Sequence, residues 1–344
     1  MLKRAVSLLL LVLLFLPQLV GCETDKPEVQ RCYEYFNTET VVTVYSAGEG
    51  IDSADVFREV RTVLGEYHKL FDIYFEYSGI NNLATVNARA GASPVEVDEK
   101  IVDFLLYAKQ MHALTGGEMN VAMGAVTRLW HDCREAAKKN PPAFRLPDTD
   151  ALASAAEHTD IDDLIIDRER GTVSFADPSL RLDVGALGKG YATEQLRRSL
   201  IAMGVESCVL NVGGNIAIIG KKPDGSDFMT GIKNPKGGEP GEEYLITTVG
   251  LSDVSCVTSG DYERYYTVGG ERYHHVIDRD TLMPSLHFAS VTVICADGAL
   301  ADVLSTALFC MSETEGRALL DSLGADIRVL WIDKNNKLTW YDEK

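Results

Sequence analysis

Residues 257–284 read VTSGDYERYYTVGGERYHHVIDRDTLMP, and the rest of the chain can be organised around them. The stretch opens with Thr-Ser-Gly-Asp, which is typical of a small polar turn that exposes backbone N–H groups. Two aromatic-rich runs follow, 262–268 and 272–278. Because Gly269-Gly270 lies between these runs, the pattern predicts a β-hairpin.

The second run of this hairpin carries two adjacent histidines, His274 and His275. Neighbouring residues of a strand point to opposite faces, so only one of the two can face a given site. On this stretch alone, a solvated hairpin with surface Tyr and His side chains remains an equal alternative.

The segments around the hairpin alternate between helical and strand patterns. Helices are predicted at 53–71, 98–114, about 119–138, 150–158, about 189–203 and after 297. Strands are predicted at 40–45, 163–175, 180–183, 208–220, 244–251, 290–295, 325–332 and 337–341. Paired strands that alternate with helices indicate an α+β fold. Since no long linker divides the chain, we expect two closely associated lobes of mixed sheets and helices around one cleft.

The first residues differ from the rest of the chain. Lys3-Arg4 precedes an apolar run at 5–16, which is short for a membrane span, and Leu-Val-Gly-Cys follows and ends at Cys22. This pattern resembles the lipobox of bacterial lipoproteins, in which the Cys is diacylated; an ordinary cleaved signal or an N-terminal anchor is the alternative. The expected organisation is a signal peptide at 1–21, a lipidated N-terminus and tether at 22–30, and a folded unit at 31–344.

The charge balance of the chain argues against two classes of partner. The formal net charge is -18, and residues 1–21 contribute two positive and no acidic side chains. Such an acidic protein is not expected to bind nucleic acid or to dock electrostatically on anionic lipid. If it handles phosphates, it needs a metal or local hydrogen-bond donors. No Cys-x-x-Cys pair is present, which argues against zinc, and the cysteines after Cys22 permit disulfides without requiring them.

Three glycine-rich segments in the C-terminal half could approach a ligand: Gly185–Gly190, Gly213-Gly214 and Ser259-Gly260. Glycine allows the backbone to come close to a ligand, and the first segment leads into a helix N-terminus, where anions bind. None has the spacing of a nucleotide-binding motif, so each alone is weak evidence for a site.

A second pattern places a carboxylate and a hydroxyl on one helix face. Asp302 and Thr306 are four residues apart on a predicted helix. Their oxygens suit Mg²⁺, which prefers oxygen ligands and keeps positions open for phosphates. In the alternative, Thr306 bonds back to the carbonyl of residue 302 and the Asp302 side chain lies in solvent.

Five ordered segments together resemble one family, the ApbE family of FAD:protein FMN transferases, over roughly residues 33–340. These segments are DVGALGKGYA (183–192), NVGGNI (211–216), VTSGDYERYY (257–266), YHHVID (273–278) and SVTVICADGALADVLST (290–306). The resemblance implies two α+β lobes with FAD in the cleft and Mg²⁺ on the FAD pyrophosphate.

The resemblance also implies roles for individual residues. The implied metal ligands are Asp302, Thr306 and the backbone carbonyl of Ala186. His275 matches the position implicated in activating the acceptor hydroxyl, and we expect His274 to be structural. The implied FAD contacts are Tyr77, Glu118, Met119, Asn120, Asp183 and Lys189.

The chain departs from the family pattern in three places. A Gly-Ala-Phe-Asp-Pro-Thr-like segment is replaced by 117–122, and the usual Pro-x-Thr-Gly after His-Ile-x-Asp is replaced by 279–282. We therefore expect different flavin contacts in the first segment and a different loop in the second. Tyr74 could take the place of Tyr77.

The activity implied by the resemblance is Mg²⁺-dependent transfer of the FMN half of FAD to a Thr or Ser hydroxyl of an acceptor protein, with release of AMP. Two alternatives remain open: a pyrophosphatase that splits FAD into FMN and AMP at the same metal site, and a non-enzymatic FAD-binding lipoprotein. The leader implies an extracytoplasmic location, on the outer face of the cytoplasmic membrane or in the periplasm, through the lipid on Cys22.

Overall fold

The computed structural model describes residues 26–139, 145–324 and 326–342. The strands are β1 (Glu28–Cys32), β2 (Thr40–Ser46), β3 (Val95–Glu96), β4 (Leu164–Asp167), β5 (Thr172–Phe175), β6 (Ser207–Val212), β7 (Asn215–Ile219), β8 (Phe228–Lys233), β9 (Leu245–Leu251), β10 (Ser255–Gly260), β11 (Tyr265–Val268), β12 (Glu271–His274), β13 (Ser290–Cys295), β14 (Arg328–Ile332) and β15 (Leu338–Tyr341). The helices are α1 (Ser53–Phe71), α2 (Leu83–Ala88), α3 (Glu99–Leu114), α4 (Gly124–Lys139), α5 (Thr149–Ala156), α6 (Gly188–Met203), α7 (Gly298–Cys310) and α8 (Glu313–Leu323).

One eight-stranded sheet runs through the whole fold, in the order β1-β2-β6-β7-β10-β13-β14-β15. Every neighbouring pair in it is antiparallel. The interior strand β13 is buried at all six positions because α7 covers one of its faces and the β8–β9 hairpin lies near the other. Three smaller units lie outside this sheet: β3-β5-β4, the β8–β9 hairpin and the β11–β12 hairpin.

The apolar side chains form two main cores that the shared sheet connects. The larger core packs α1, α3 and α6 against β2 and β6, and the second packs α7 and α8 against β13 and β14. Leu114 and Leu300 pack against both cores. This arrangement confirms the predicted α+β fold, with mixed sheets and helices around a cleft.

Local sequence signals explain where the helices begin. Asp52 caps α1 with its side chain and forms a reciprocal capping box with Asp55. Asp98 caps α3, which ends at the predicted residue before Gly116 takes a left-handed φ of 61°. In the described part of the chain, no helix is long and apolar enough to cross a membrane.

Several predicted boundaries are wrong in detail. Residues 28–30 belong to β1 and not to the tether, because they pair with β2. Residues 119–123 form a loop before α4, and 180–183 make only an isolated bridge at Arg181. The Thr-Ser-Gly of 258–260 is the end of β10 and not a turn, since this strand pairs with β13 as far as Gly260. Residues 1–25, which include the signal peptide and Cys22, lie outside the described residues.

Candidate active site

A cavity of about 490 Å³ brings the predicted site residues together. Its size is within the range of small-molecule and cofactor sites, roughly 300–1,000 Å³. Residues from all three glycine-rich segments line it. All ten residues expected to act in chemistry, metal binding or FAD binding also line it: Tyr77, Glu118, Met119, Asn120, Asp183, Ala186, Lys189, His275, Asp302 and Thr306. Their individual roles remain predictions, but the fold places all ten residues around the same cavity.

Asp302 reaches this cavity from α7 and also caps α6. Its Oδ2 accepts a hydrogen bond of 2.8 Å from the N–H of Gly190, and the residue is only 4% exposed. Any side chain at Gly190 would collide with Asp302, so this glycine is needed for the close approach of the two helices. Burial raises the pKa of Asp302, while the charge of Lys189 and the Gly190 hydrogen bond oppose that rise.

The other oxygen of Asp302 faces polar neighbours. With its amide oriented to suit its partners, Asn215 donates to Asp302 Oδ1 at 3.2 Å and accepts from Lys189 Nζ at 3.2 Å. Asn215 is 2% exposed and begins β7, directly after Gly213-Gly214. Sequence reasoning noted NVGGNI as a motif but missed Asn215 as a site residue.

The structure decides against the alternative for the Asp302–Thr306 pair. The carbonyl of Asp302 accepts from Ser305 at 3.0 Å, and the Asp302 carboxylate is buried instead of lying in solvent. Thr306 Oγ1 instead lies 3.2 Å from Ser259 Oγ, at the end of β10. The Thr306 hydroxyl is therefore on the cavity side of α7, as the four-residue spacing predicts.

The third implied metal ligand is the carbonyl of Ala186, in the loop before α6. Ala186 precedes Leu187, whose carbonyl accepts the first hydrogen bond of the helix, from the N–H of Tyr191. The N–H of Gly190 donates to Asp302, and no N–H among the described residues donates to the Ala186 carbonyl, so this carbonyl is available to a ligand. Among the described residues, no three His, Cys, Asp or Glu side chains form a metal-binding cluster. One carboxylate, one hydroxyl and one carbonyl are nevertheless a donor set of the type that suits Mg²⁺.

Asp183 organises the loop that contains Ala186. Its Oδ2 accepts from the hydroxyl of Thr127 at 2.7 Å, and its Oδ1 accepts from the N–H of Gly185 at 2.9 Å. Its own N–H donates to the carbonyl of Val121. Asp183 thus ties the glycine-rich loop to α4 and to the segment that precedes it.

The two candidate tyrosines both line the cavity, in different settings. Asp72 accepts from the hydroxyl of Tyr77 at 2.9 Å and from the N–H groups of Tyr74 and Phe75, so it holds the aromatic loop in place. Tyr74 stacks on His131 with ring centroids 4.8 Å apart. The structure therefore does not choose between Tyr74 and Tyr77 as the FAD contact, because the loop places both rings at the cavity.

Hydrogen bonds to neighbouring segments hold two residues of the segment 118–120, Met119 and Asn120. Met119 donates its N–H to Thr115 Oγ1, and its carbonyl lies 3.0 Å from His112 Nδ1. Asn120 donates its side-chain amide to the carbonyl of Thr159 and accepts from the N–H of Ala122. The polar atoms of Asn120 that make these bonds support the loop itself.

The two histidines lie in different surroundings, but strand alternation is not the cause, because β12 ends at His274 instead of continuing through 278. His274 is the last residue of β12 and is 4% exposed; its Nε2 lies 2.8 Å from the carbonyl oxygen of Ser285, and its ring meets Phe309 edge to face. His275 lies in the bend after the strand and faces the cavity. It is open to water but closely surrounded by the cavity walls. This partial burial, followed by the charges of Arg264 and Lys189, lowers the pKa of His275.

Sequence reasoning missed a cationic wall of the cavity. Arg264, between β10 and β11, and Arg134, on α4, both line it, and Arg134 Nη2 lies 3.1 Å from His131 Nδ1. Partial burial and the charge of Arg134 lower the pKa of Arg264. The guanidinium of Arg264 makes no hydrogen bond or ion pair with the described residues. The spacing of Thr127, Trp130, His131 and Arg134 on one face of α4 was the available signal.

Comparison with known proteins agrees with this geometry. The ApbE family model matches residues 36–331, so the chain belongs to the ApbE family, and the resemblance drawn from the motifs is confirmed. A relative from Treponema pallidum, named FAD:protein FMN transferase, is 30% identical over 88% of this chain and 86% of its own length. One of the same name from Escherichia coli K12 is 26% identical over 93% and 91%. The crystal structure of the ApbE protein from Thermotoga maritima has a TM-score of 0.79 at 25% identity, covering 92% of this chain and 97% of that one.

Proposed function

We propose that this protein transfers the FMN half of FAD to a Thr or Ser hydroxyl of an acceptor protein and releases AMP. One observation carries the proposal: His275 faces the same cavity as Asp302, Thr306 and the loop of Ala186. A base and an oxygen-rich metal site side by side suit phosphoryl transfer better than storage of a flavin. The printed name of the relatives, FAD:protein FMN transferase, supports the same reaction.

In this reaction the acceptor hydroxyl oxygen forms a bond to the phosphorus of the FMN half. The bond from that phosphorus to the bridging pyrophosphate oxygen breaks, and AMP takes the electron pair. His275 accepts the hydroxyl proton. Since its pKa is lowered, the ring is neutral near physiological pH and able to accept a proton.

The cavity's cations would receive the phosphates. Lys189 and Asp302 are both hydrogen-bonded to Asn215, and Arg264 lines the same cavity from the loop between β10 and β11. An arginine without a carboxylate partner presents a planar set of donors that matches phosphate oxygens. Negative charge that develops on the phosphoryl oxygens would therefore meet donors that are already in place.

Asp302, Thr306 and the Ala186 carbonyl would hold Mg²⁺. When bound, the ion supplies neutralisation of charge on the pyrophosphate and its leaving group. The chain's own contribution is to keep the Asp302 carboxylate fixed: the N–H of Gly190 and the amide of Asn215 both donate to it. The charge of Lys189 favours its ionised form.

We further propose that the mature protein is a lipoprotein, held through Cys22 on the outer face of the cytoplasmic membrane or in the periplasm. The proposal is supported by the basic, apolar and Leu-Val-Gly-Cys pattern of residues 3–22. Two acyl chains on one Cys would give stable anchoring, whereas a single chain binds membranes only marginally.

The test is incubation of the purified protein with FAD, Mg²⁺ and a Thr-containing acceptor segment. A matched acceptor with Val in place of that Thr is the control. Fluorescence that stays on the Thr acceptor after denaturation, together with released AMP, is the expected result. FMN and AMP without a labelled acceptor would replace this proposal with the pyrophosphatase, and unchanged FAD would replace it with storage.

A further inference from the structure

Arg279 joins two walls of the cavity that are far apart in the sequence. Its Nη1 donates to the carbonyl of Gly116 at 2.8 Å, and its Nε lies 3.2 Å from Glu118 Oε1. Gly116 and Glu118 belong to the turn after α3, whereas Arg279 follows His275 by four residues. One side chain therefore connects the wall of Glu118 to the segment that presents His275.

The contact is built into the fold on both sides. Gly117, with φ +95°, lies against the guanidinium, and any side chain there would collide with Arg279 Nη1. The Glu118 side chain is only 15% exposed. Burial raises the pKa of Glu118, and the charge of Arg279 opposes that rise. Removing Arg279 would leave a largely buried carboxylate without its cation, which is strongly unfavourable.

This contact occupies a place where the chain departs from its family. The usual Pro-x-Thr-Gly is replaced by residues 279–282, so these positions hold neither a proline, which would fix φ, nor a glycine, which would accept a positive φ without strain. Leu282 nevertheless adopts a left-handed φ of 59°, and its carbonyl accepts from Trp130 Nε1 at 2.9 Å. The Asp278 carboxylate fixes the loop locally by accepting from the N–H groups of Asp280 and Thr281. Arg279 and Trp130 add contacts from this loop to Gly116, Glu118 and α4.

We propose that Arg279 is a positioning residue that holds the segment 118–120 at a fixed distance from His275. The inference rests on the proposed function, because FAD would lie between these two walls. Arg279 does not line the cavity, so it acts through Glu118 and through the backbone of its own loop. Its loss should widen the cavity at this end, which weakens FAD binding and misaligns the base with the acceptor.

The test compares Arg279→Ala and Arg279→Lys with a matched control, Arg168→Ala. Arg168 pairs with Asp103 at the surface, away from the cavity. FAD dissociation constants are measured with EDTA present to prevent turnover, and transfer rates are measured at saturating FAD. We expect Arg279→Ala to raise the FAD dissociation constant about tenfold and to lower the transfer rate by roughly 10-fold or more, as misplacement of reacting groups does. Arg279→Lys should recover part of both losses, and Arg168→Ala should match the wild type.

A double variant separates positioning from general destabilisation. Because Glu118 also lines the cavity, Glu118→Gln is measured alone as well; if the pair acts as a unit, the loss in the double variant should be smaller than the sum of the two single losses. If Arg279→Ala does not fold, Arg279→Gln carries the same expectation, because it can still donate to Gly116 but has no charge for Glu118. Wild-type binding and rate in a folded Arg279 variant, or fully additive losses, would overturn the inference. Absence of transfer by the wild type would refute the proposed function instead, and the FAD dissociation constants would still test Arg279.

Discussion

Replacing His275 with Ala should lower the transfer rate, whereas replacing the adjacent His274 with Ala should lower the stability of the protein. His275 faces the cavity, whereas His274 is buried against Phe309. We expect His275→Ala to lower the transfer rate by roughly 10²-fold or more, the usual contribution of a general base. FAD binding should survive, because His275 makes no hydrogen bond that holds the cavity walls in the described structure.

The His274 defect should be one of stability, and its size follows from the contacts. An Ala at this position removes the hydrogen bond to the Ser285 carbonyl and the one that Nδ1 accepts from the N–H of Val276. Each contributes roughly 0.5–1.5 kcal/mol net, and the edge-to-face contact with Phe309 adds a similar amount. With the cavity that remains, the free energy of unfolding should fall by about 2–4 kcal/mol. This is more than a partly exposed strand residue would lose.

The assay pairs thermal unfolding with single-turnover transfer at saturating FAD, well below the unfolding midpoint of the weaker variant. His275→Ala should keep its midpoint and lose its rate. His274→Ala should lose several degrees, roughly 2–4 °C per kcal/mol, and keep its rate within about tenfold. Equal losses of rate in two folded variants would show that the pair acts as one catalytic unit. Loss of rate in His274→Ala alone would refute the assignment of His275 as the base.

Four further outcomes are expected. Asp302→Asn should lower Mg²⁺-dependent transfer by about 10²-fold or more, because it removes the only charged group among the three proposed ligands; near-normal activity would contradict the metal assignment. Arg264→Gln should slow transfer by roughly 10–10³-fold without lowering the unfolding midpoint, since this side chain makes no hydrogen bond or salt bridge with the described residues; unchanged single-turnover rates would rule out its phosphate contact. Because the pKa of His275 is lowered, its neutral base form should persist below pH ~6.5 in the FAD-free protein. Bound phosphate should raise that pKa. The acid limb of the kcat/KM profile for FAD, which reports the free enzyme, should therefore lie at lower pH than the acid limb of the kcat profile. Cys22→Ala should leave the enzyme active but in the soluble fraction; recovery with membranes after signal processing would reject the lipid anchor.

Local signals in the sequence were sufficient for the elements that carry the site. Helix α1 was predicted with its exact bounds because its apolar spacing is regular and Asp52 caps it. The sequence predicts the Gly213-Gly214 and Gly269-Gly270 turns because tight hairpins require a positive φ, which glycine accepts. All four glycines have a positive φ in the structure. The end of β10 was misjudged, since Thr-Ser-Gly resembles a turn until its partner β13 is known.

The contacts between distant segments could not be predicted in the same way. Asp302 caps α6 through Gly190, across more than a hundred residues, and neither residue's neighbours in sequence indicate this. Arg264 belongs to the VTSGDYERYY motif, but its place in the site depends on how α4 and the segment after β12 meet at one cavity. Periodicity describes which face a residue occupies on its own element, whereas such contacts depend on how the elements pack.

The net charge illustrates the same limit. A formal charge of -18 argues against nucleic acid as a ligand, but it would also argue against FAD, whose pyrophosphate is anionic. The structure reduces the contradiction, because Lys189, Arg134 and Arg264 line the cavity, beside five carboxylates: Asp72, Glu118, Asp183, Glu263 and Asp302. Exposed carboxylates more than ~8 Å away are largely screened at physiological ionic strength, while cations inside a confined cavity act directly on a bound phosphate. Net charge does not show where on a protein an anion can bind; that depends on where cations such as Lys189, Arg134 and Arg264 lie, which the composition of the chain does not reveal.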